Sequence, residues 1–159
     1  MSEVRIERVD ERLLETILPL IADYQVFYEQ TPDTARNRAF FGRFTKENPL
    51  GVQFAALDPD GAPLGFATLY VLPSSLSGAD YCYLSDLFTV RAARGRGVAR
   101  ALLASGASWA RARGLDQVDW LTARSNATAQ RLYDRLTPHK SEWYYYSWHL
   151  SRPDSGATK

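Results

Sequence analysis

Arg94-Gly95-Arg96-Gly97-Val98-Ala99 joins the apolar stretch Tyr83-Leu84-Ser85-Asp86-Leu87-Phe88-Thr89-Val90 to a long run with helical spacing. A turn with two glycines between a strand and a helix exposes several backbone N–H groups at the positive end of the helix dipole, where a phosphate or pyrophosphate can sit. The turn therefore predicts a phosphorylated cofactor. It lacks the Gly-Lys-Ser/Thr ending of the loop that holds a nucleoside triphosphate with magnesium, and it lacks the third glycine of a dinucleotide turn. The plain alternative for the same glycines is a tight turn that needs positive φ and nothing more.

Working outward, Val98, Ala101, Leu102, Ser105 and Trp109 fall on one face of the helix after the turn, and Gly114 stops it. A strand is predicted over 117–122. Asn126 can cap a further helix whose face is Ala129, Leu132, Tyr133 and Leu136, and 143–150 reads as a last strand. Upstream, 4–9 alternates like a strand, Asp10 can cap a helix carrying Leu14, Ile17, Leu18 and Ile21, and Thr31-Pro32-Asp33 starts a second helix ending near Thr45. Phe40, Phe41 and Phe44 form the expected buried side of that helix. Strands at 52–57 and 65–72 are joined by the turn Asp58-Pro59-Asp60-Gly61, and 81–90 completes the run into the glycine turn. This order predicts a mixed α/β fold and no finer class.

The resemblance that narrows it rests on two motifs. Arg94-x-x-Gly97-x-Ala99 resembles the pyrophosphate turn of the GCN5-related N-acetyltransferases, and Asn126-x-x-Ala129-x-x-Leu132-Tyr133 fills every position of that family's second cofactor motif at the expected separation. The segments 120–122 and 132–135 look most like the small fungal histone and D-amino-acid acetyltransferases, with diamine acetyltransferases close by. The resemblance covers residues 80 to 146, and the N-terminal half by order of elements alone. It implies the GNAT fold, a splayed mixed sheet of six to seven strands flanked by about four helices, as a single domain over 1–151 with a flexible tail at 152–159.

It also implies acetyl-CoA as co-substrate and N-acetyl transfer to a primary amine by direct attack. Backbone N–H groups of Gly95, Arg96, Gly97, Val98, Ala99 and Arg100 would hold the diphosphate, with charge from Arg94 and Arg96. Leu87, Phe88 and Thr89 would pair with the pantetheine arm as an added strand, and an N–H near Phe88 would stabilise the oxyanion. Asn126 and Ala129 complete the cofactor set. Tyr133 is the expected general acid, because a phenol can protonate the leaving thiolate; a packed core tyrosine is the plain alternative. Ser85-Asp86 stands where diamine acetyltransferases carry adjacent Glu and Asp. Alternation places these two on opposite faces of the strand, so one of them reaches the amine. Asp86 is read as the base, as an amine ligand, or as a loop anchor, with a water chain as another route. Acceptor contacts are expected from Tyr24, Tyr28, Glu29, Ser85, Glu142 and Trp143, acids among aromatics that suit a cationic amine.

Composition sets the remaining limits. The 159 residues suit one domain, with a formal net charge of +1 and one cysteine, Cys82. The charge gives no reason to expect nucleic acid or an anionic membrane, and the arginines near the turn have no stripe of aromatics beside them. No apolar stretch approaches the roughly 20 residues that cross a bilayer. Cysteine usage and the absence of a leader point to the cytoplasm. His139 and His149 lack metal-ligand spacing, so no metal is expected. The partner expected is a small-molecule or peptide amine, and the resemblance allows a homodimer. The rival from another class is an acyl-CoA-binding regulatory module without turnover.

Overall fold

The computed structural model describes residues 4–148 and 150. The chain divides into two compact units, one ending at Thr122 and one beginning at Ala123. The first holds a five-stranded mixed sheet in chain order: β1 (Arg5–Arg8), β2 (Gly51–Leu57), β3 (Pro63–Ser74), β4 (Ala79–Thr89) and β5 (Val118–Asp119). The first four strands pair antiparallel, and β4 pairs with β5 in parallel.

Helix α1 (Glu11–Phe27) starts where Asp10 accepts from the Leu13 N–H at 2.7 Å. Its apolar stripe, Leu13, Leu14, Ile17, Leu18, Leu20 and Ile21, packs with Ala55, Leu57 and Phe66 on one face of the sheet. Ile17 and Ile21 are fully buried, each side chain contributing about 1.5–3 kcal/mol. Helix α2 (Thr34–Phe41) runs into a short 3-10 turn, Gly42–Phe44. Phe41 and Phe44 are buried as expected, but Phe40 is 40% exposed.

Helix α3 (Val98–Ala112) lies over Leu69, which alternation puts on the sheet face opposite Phe66. Gly106 permits the approach, since a Cβ there would stand 2.7 Å from Leu69 Cδ2. Gly114, at φ +74°, ends α3, with the Leu115 N–H reaching back to Ala110 O and the Gly114 N–H to Arg111 O.

Two features of β4 shape the site. It meets β5 only at Cys82 and Tyr83, so from Leu84 to Thr89 that edge has no ladder partner among the described residues. Cys82 itself is wholly buried at this junction, and burial pushes its thiol up to about 11. The pairing with β3 also slips: Leu84 faces Leu69 and Asp86 faces Thr68, which makes Ser85 the extra residue of a bulge.

The second unit contains α4 (Ala127–Tyr133). The expectation of six to seven strands is corrected to five among the described residues. The strand predicted over 117–122 shrinks to two residues, and 143–148 forms no strand. A run of Trp and Tyr has the propensity, but a strand exists only through a paired neighbour, and Trp143 to Tyr146 and Trp148 are 81–88% exposed. His149 and the tail predicted at 152–159 lie outside the described residues.

Candidate active site

The glycine turn is set by dihedral angles rather than by crowding. Gly95 has φ +77° and Gly97 φ +84°, while a Cβ on either would meet nothing within 4 Å. Gly97 caps α3 without any side-chain hydrogen bond, and helical bonding begins with the Ala101 N–H to Gly97 O at 3.0 Å. The N–H groups of Val98, Ala99 and Arg100 therefore have no intrahelical acceptor and face the open side of the turn at the positive end of the helix. The Val98 side chain is buried, so this residue offers its main chain alone. Arg94 Nε lies 3.4 Å from Thr89 O and ties the turn to the end of β4.

At the open edge of β4, main-chain direction sorts the three residues expected there. The Val90 N–H donates to Leu64 O at 2.9 Å, so Val90 and, two residues earlier, Phe88 turn their main chain toward β3. Leu87 and Thr89 point the other way, to the side with no ladder partner. For the oxyanion donor expected near Phe88, the Phe88 N–H itself belongs to the ladder, and the outward N–H groups beside it are those of Leu87 and Thr89. Phe88 contributes its ring, which stands 6.1 Å from Tyr24 and 6.0 Å from Phe66.

Asp86 is the centre of a partly buried polar cluster. Thr68, Tyr24 and Ser85 all hydrogen-bond it, with Ser85 Oγ at 3.4 Å from Asp86 Oδ1. Burial raises the Asp86 carboxyl above its ordinary value, and the three hydroxyl groups oppose that rise. Burial, followed by the charge of Asp86, lifts Tyr24 well above the ordinary phenol range and pushes Tyr70 up to about 12. Tyr70 also lies in hydrogen-bond contact with Ser85. The placement of Ser85 and Asp86 on opposite faces is therefore corrected, because the bulge interrupts the alternation between them.

Sequence reasoning missed Gln53, Thr68 and Tyr70. Gln53 and Thr68 are wholly buried, and Gln53 Nε2 donates to Thr68 Oγ1 at 3.2 Å. A signal was present: each is a lone polar residue inside an apolar strand.

The end of α1 brings Tyr28 to this cluster. Its ring lies 5.0 Å from that of Tyr24, and the two hydroxyl groups hydrogen-bond. Glu29 follows in the left-handed region at φ +58°, alone among the described non-glycine residues. The helix closes with the Gln30 N–H on Gln25 O and the Glu29 N–H on Val26 O, both at 2.9 Å.

The second unit carries the other expected residues. Asn126 caps α4, its Oδ1 accepting from the Ala129 N–H at 3.2 Å, and Tyr133 is the last residue of that helix. Glu142 forms an exposed ion pair with Arg124 at 3.5 Å. Trp143 Nε1 donates to Ser141 Oγ, and its ring is 84% exposed. Among the described residues there is no His, Cys, Asp or Glu cluster able to hold a metal ion, and no helix is long and apolar enough to cross a membrane.

Comparison with known proteins bears on this arrangement. A solved structure described as a probable acetyltransferase is 26% identical, with 94% of this chain and 99% of that chain covered at a TM-score of 0.80. The aminoglycoside N-acetyltransferase AAC(6')-Iy in complex with CoA is 20% identical over 94% and 97% of the two chains, TM-score 0.81. AAC(6')-Iy with the bisubstrate analog CoA-S-monomethyl-acetylneamine is 22% identical over 93% and 99%, TM-score 0.79. A search of curated proteins finds no match. A family model for the acetyltransferase (GNAT) family matches residues 14–137, most of the chain, with β4 and the glycine turn inside the match. The chain therefore belongs to the acetyltransferase (GNAT) family.

Proposed function

We propose that the protein transfers an acetyl group from acetyl-CoA to a primary amine by direct attack. One observation carries this reading: the uncapped start of α3, with open space over Gly95 and Gly97, adjoins a β4 edge that has no ladder partner at Leu87 and Thr89 among the described residues. A diphosphate needs the first feature and an amide-bearing arm needs the second. Thr89 Oγ1, buried without a hydrogen-bond partner among the described residues, adds an unmet polar group on the same strand. The N–H groups of residues 95–100, with Arg94 and Arg96, would hold the diphosphate, and Asn126 and Ala129 complete the cofactor set by resemblance.

In the reaction the amine nitrogen attacks the thioester carbonyl carbon. The C–N bond forms, the oxyanion is held by an outward β4 N–H, and the C–S bond then breaks. Asp86 takes the proton the amine loses, suited to that task by a carboxyl raised toward neutrality. Tyr133 supplies the proton that the departing thiolate gains. Tyr28 and Glu29, with Ser85, are assigned to the acceptor, as are Glu142 and Trp143 by resemblance alone.

An acid beside aromatic rings favours a cationic acceptor, and the aminoglycoside N-acetyltransferase named above makes that class the first to try. Segments 120–122 and 132–135 support histone peptides and D-amino acids as further candidates, whereas Ser85 in place of a glutamate argues against diamines. The test is thiol release from acetyl-CoA across aminoglycosides, D- and L-amino acids, polyamines and histone peptides. Release with a cationic amine is the expected result. Tight CoA binding with no release across the whole panel would make the protein a binding module instead.

A further inference from the structure

Gln53, Thr68 and Asp86 stand side by side on three neighbouring strands, Gln53 opposite Thr68 and Thr68 opposite Asp86. The Gln53 amide donates to Thr68 Oγ1 at 3.2 Å, and Thr68 in turn hydrogen-bonds Asp86. A hydroxyl has one proton. With its oxygen accepting from the amide, the Thr68 proton is free to point at Asp86, which as a carboxylate can only accept. The chain of bonds thus has a direction, from amide to hydroxyl to carboxylate.

The other half of the amide is the second observation. Gln53 Oε1 is buried with no hydrogen-bond partner among the described residues. A leucine or methionine would fill this seat between β1 and β3 without leaving an orphan acceptor, so packing alone does not account for a glutamine here.

We propose that Gln53 acts through Thr68 as a positioning residue for Asp86, turning the Thr68 hydroxyl proton onto the carboxylate and holding Asp86 ready to take a proton from the attacking amine. Other groups facing Asp86 come from α1 and from its own sheet: Tyr24, backed by Tyr28, and Tyr70, itself within the field of Arg43. All of these stay in place in the variants below. The inference rests on Asp86 as the base, but its test does not.

The experiment is a carbon-13 NMR titration of the Asp86 carboxyl in the resting protein, with the acid limb of kcat/KM measured in parallel. Thr68→Val removes the donor at constant shape and moves the titration upward by about one pH unit, a tenfold change in proton affinity. Thr68→Ser restores it. Gln53→Met moves it in the same direction, and the double variant Gln53→Met with Thr68→Val moves it no further than Thr68→Val alone. An unmoved titration in Thr68→Val, or an additive shift in the double variant, overturns the proposal; the first outcome decides even if Gln53→Met fails to fold. Full turnover by Asp86→Asn would remove the base while leaving the titration result standing.

Discussion

Glu29 and Gly114 occupy the same position of the same helix-ending motif, one at the end of α1 and the other at the end of α3. Both take a left-handed φ, yet only one is a glycine. For Glu29 the conformation costs about 1–2 kcal/mol, because its Cβ crowds the following carbonyl. Such strain persists where the side chain has a task. Glu29→Gly is expected to raise unfolding stability by about 1 kcal/mol in urea melts while raising KM for a cationic amine and leaving kcat near its original value. No gain in stability would show that the motif is not strained.

Asp86 gives a pH dependence whose sign is fixed. Its carboxyl is raised in the folded state, so the folded chain binds this proton more tightly than the unfolded chain does. The contribution to stability falls as pH climbs from the ordinary aspartate value to the raised one. Activity runs the other way: kcat/KM falls on acidification through the raised value. Asp86→Asn is expected to lower kcat by about 10²–10⁴ and to abolish that acid limb. A limb that survives the substitution belongs to another group.

At the turn, Gly97→Ala has room for its methyl group but not the backbone freedom to reach φ +84°. The cost is about 1–2 kcal/mol of folding stability. Because the strained residue is the cap from which the free N–H groups project, the KM for acetyl-CoA rises more than the KM for the amine. Equal effects on both would separate the turn from the diphosphate.

Tyr133→Phe keeps the ring and removes the proton. If the phenol serves the departing thiolate, kcat drops by about 10²-fold or more at neutral pH, with CoA binding by calorimetry unchanged. Turnover at the original rate would exclude Tyr133 as the acid.

Periodicity was a good guide wherever one apolar face meets one partner. Leu14, Ile17, Leu18 and Ile21 were readable as the buried stripe of α1, and Val98 and Leu102 as that of α3. Asp10, Asn126 and Gly114 marked helix ends because each has a local chemistry that needs no tertiary partner. Strand pairing has no such local mark. Trp143 to Tyr146 has strand propensity without a strand, and β5 is two residues long, since register is decided by neighbours distant in sequence. The same reason hid the bulge at Ser85, and with it the fact that Ser85 and Asp86 share a face. Gln53 and Thr68 were visible as polar interruptions, but only the register of β2, β3 and β4 lines them up with Asp86.

Cys82, the chain's one thiol, is sealed where β4 meets β5 and ionises only near pH 11. At pH 8 only about one molecule in a thousand would carry a thiolate there, so a disulfide reagent added to follow released coenzyme sees no background from the protein. A slow second phase of reaction, one equivalent per chain, would instead clock the rate at which those two strands part.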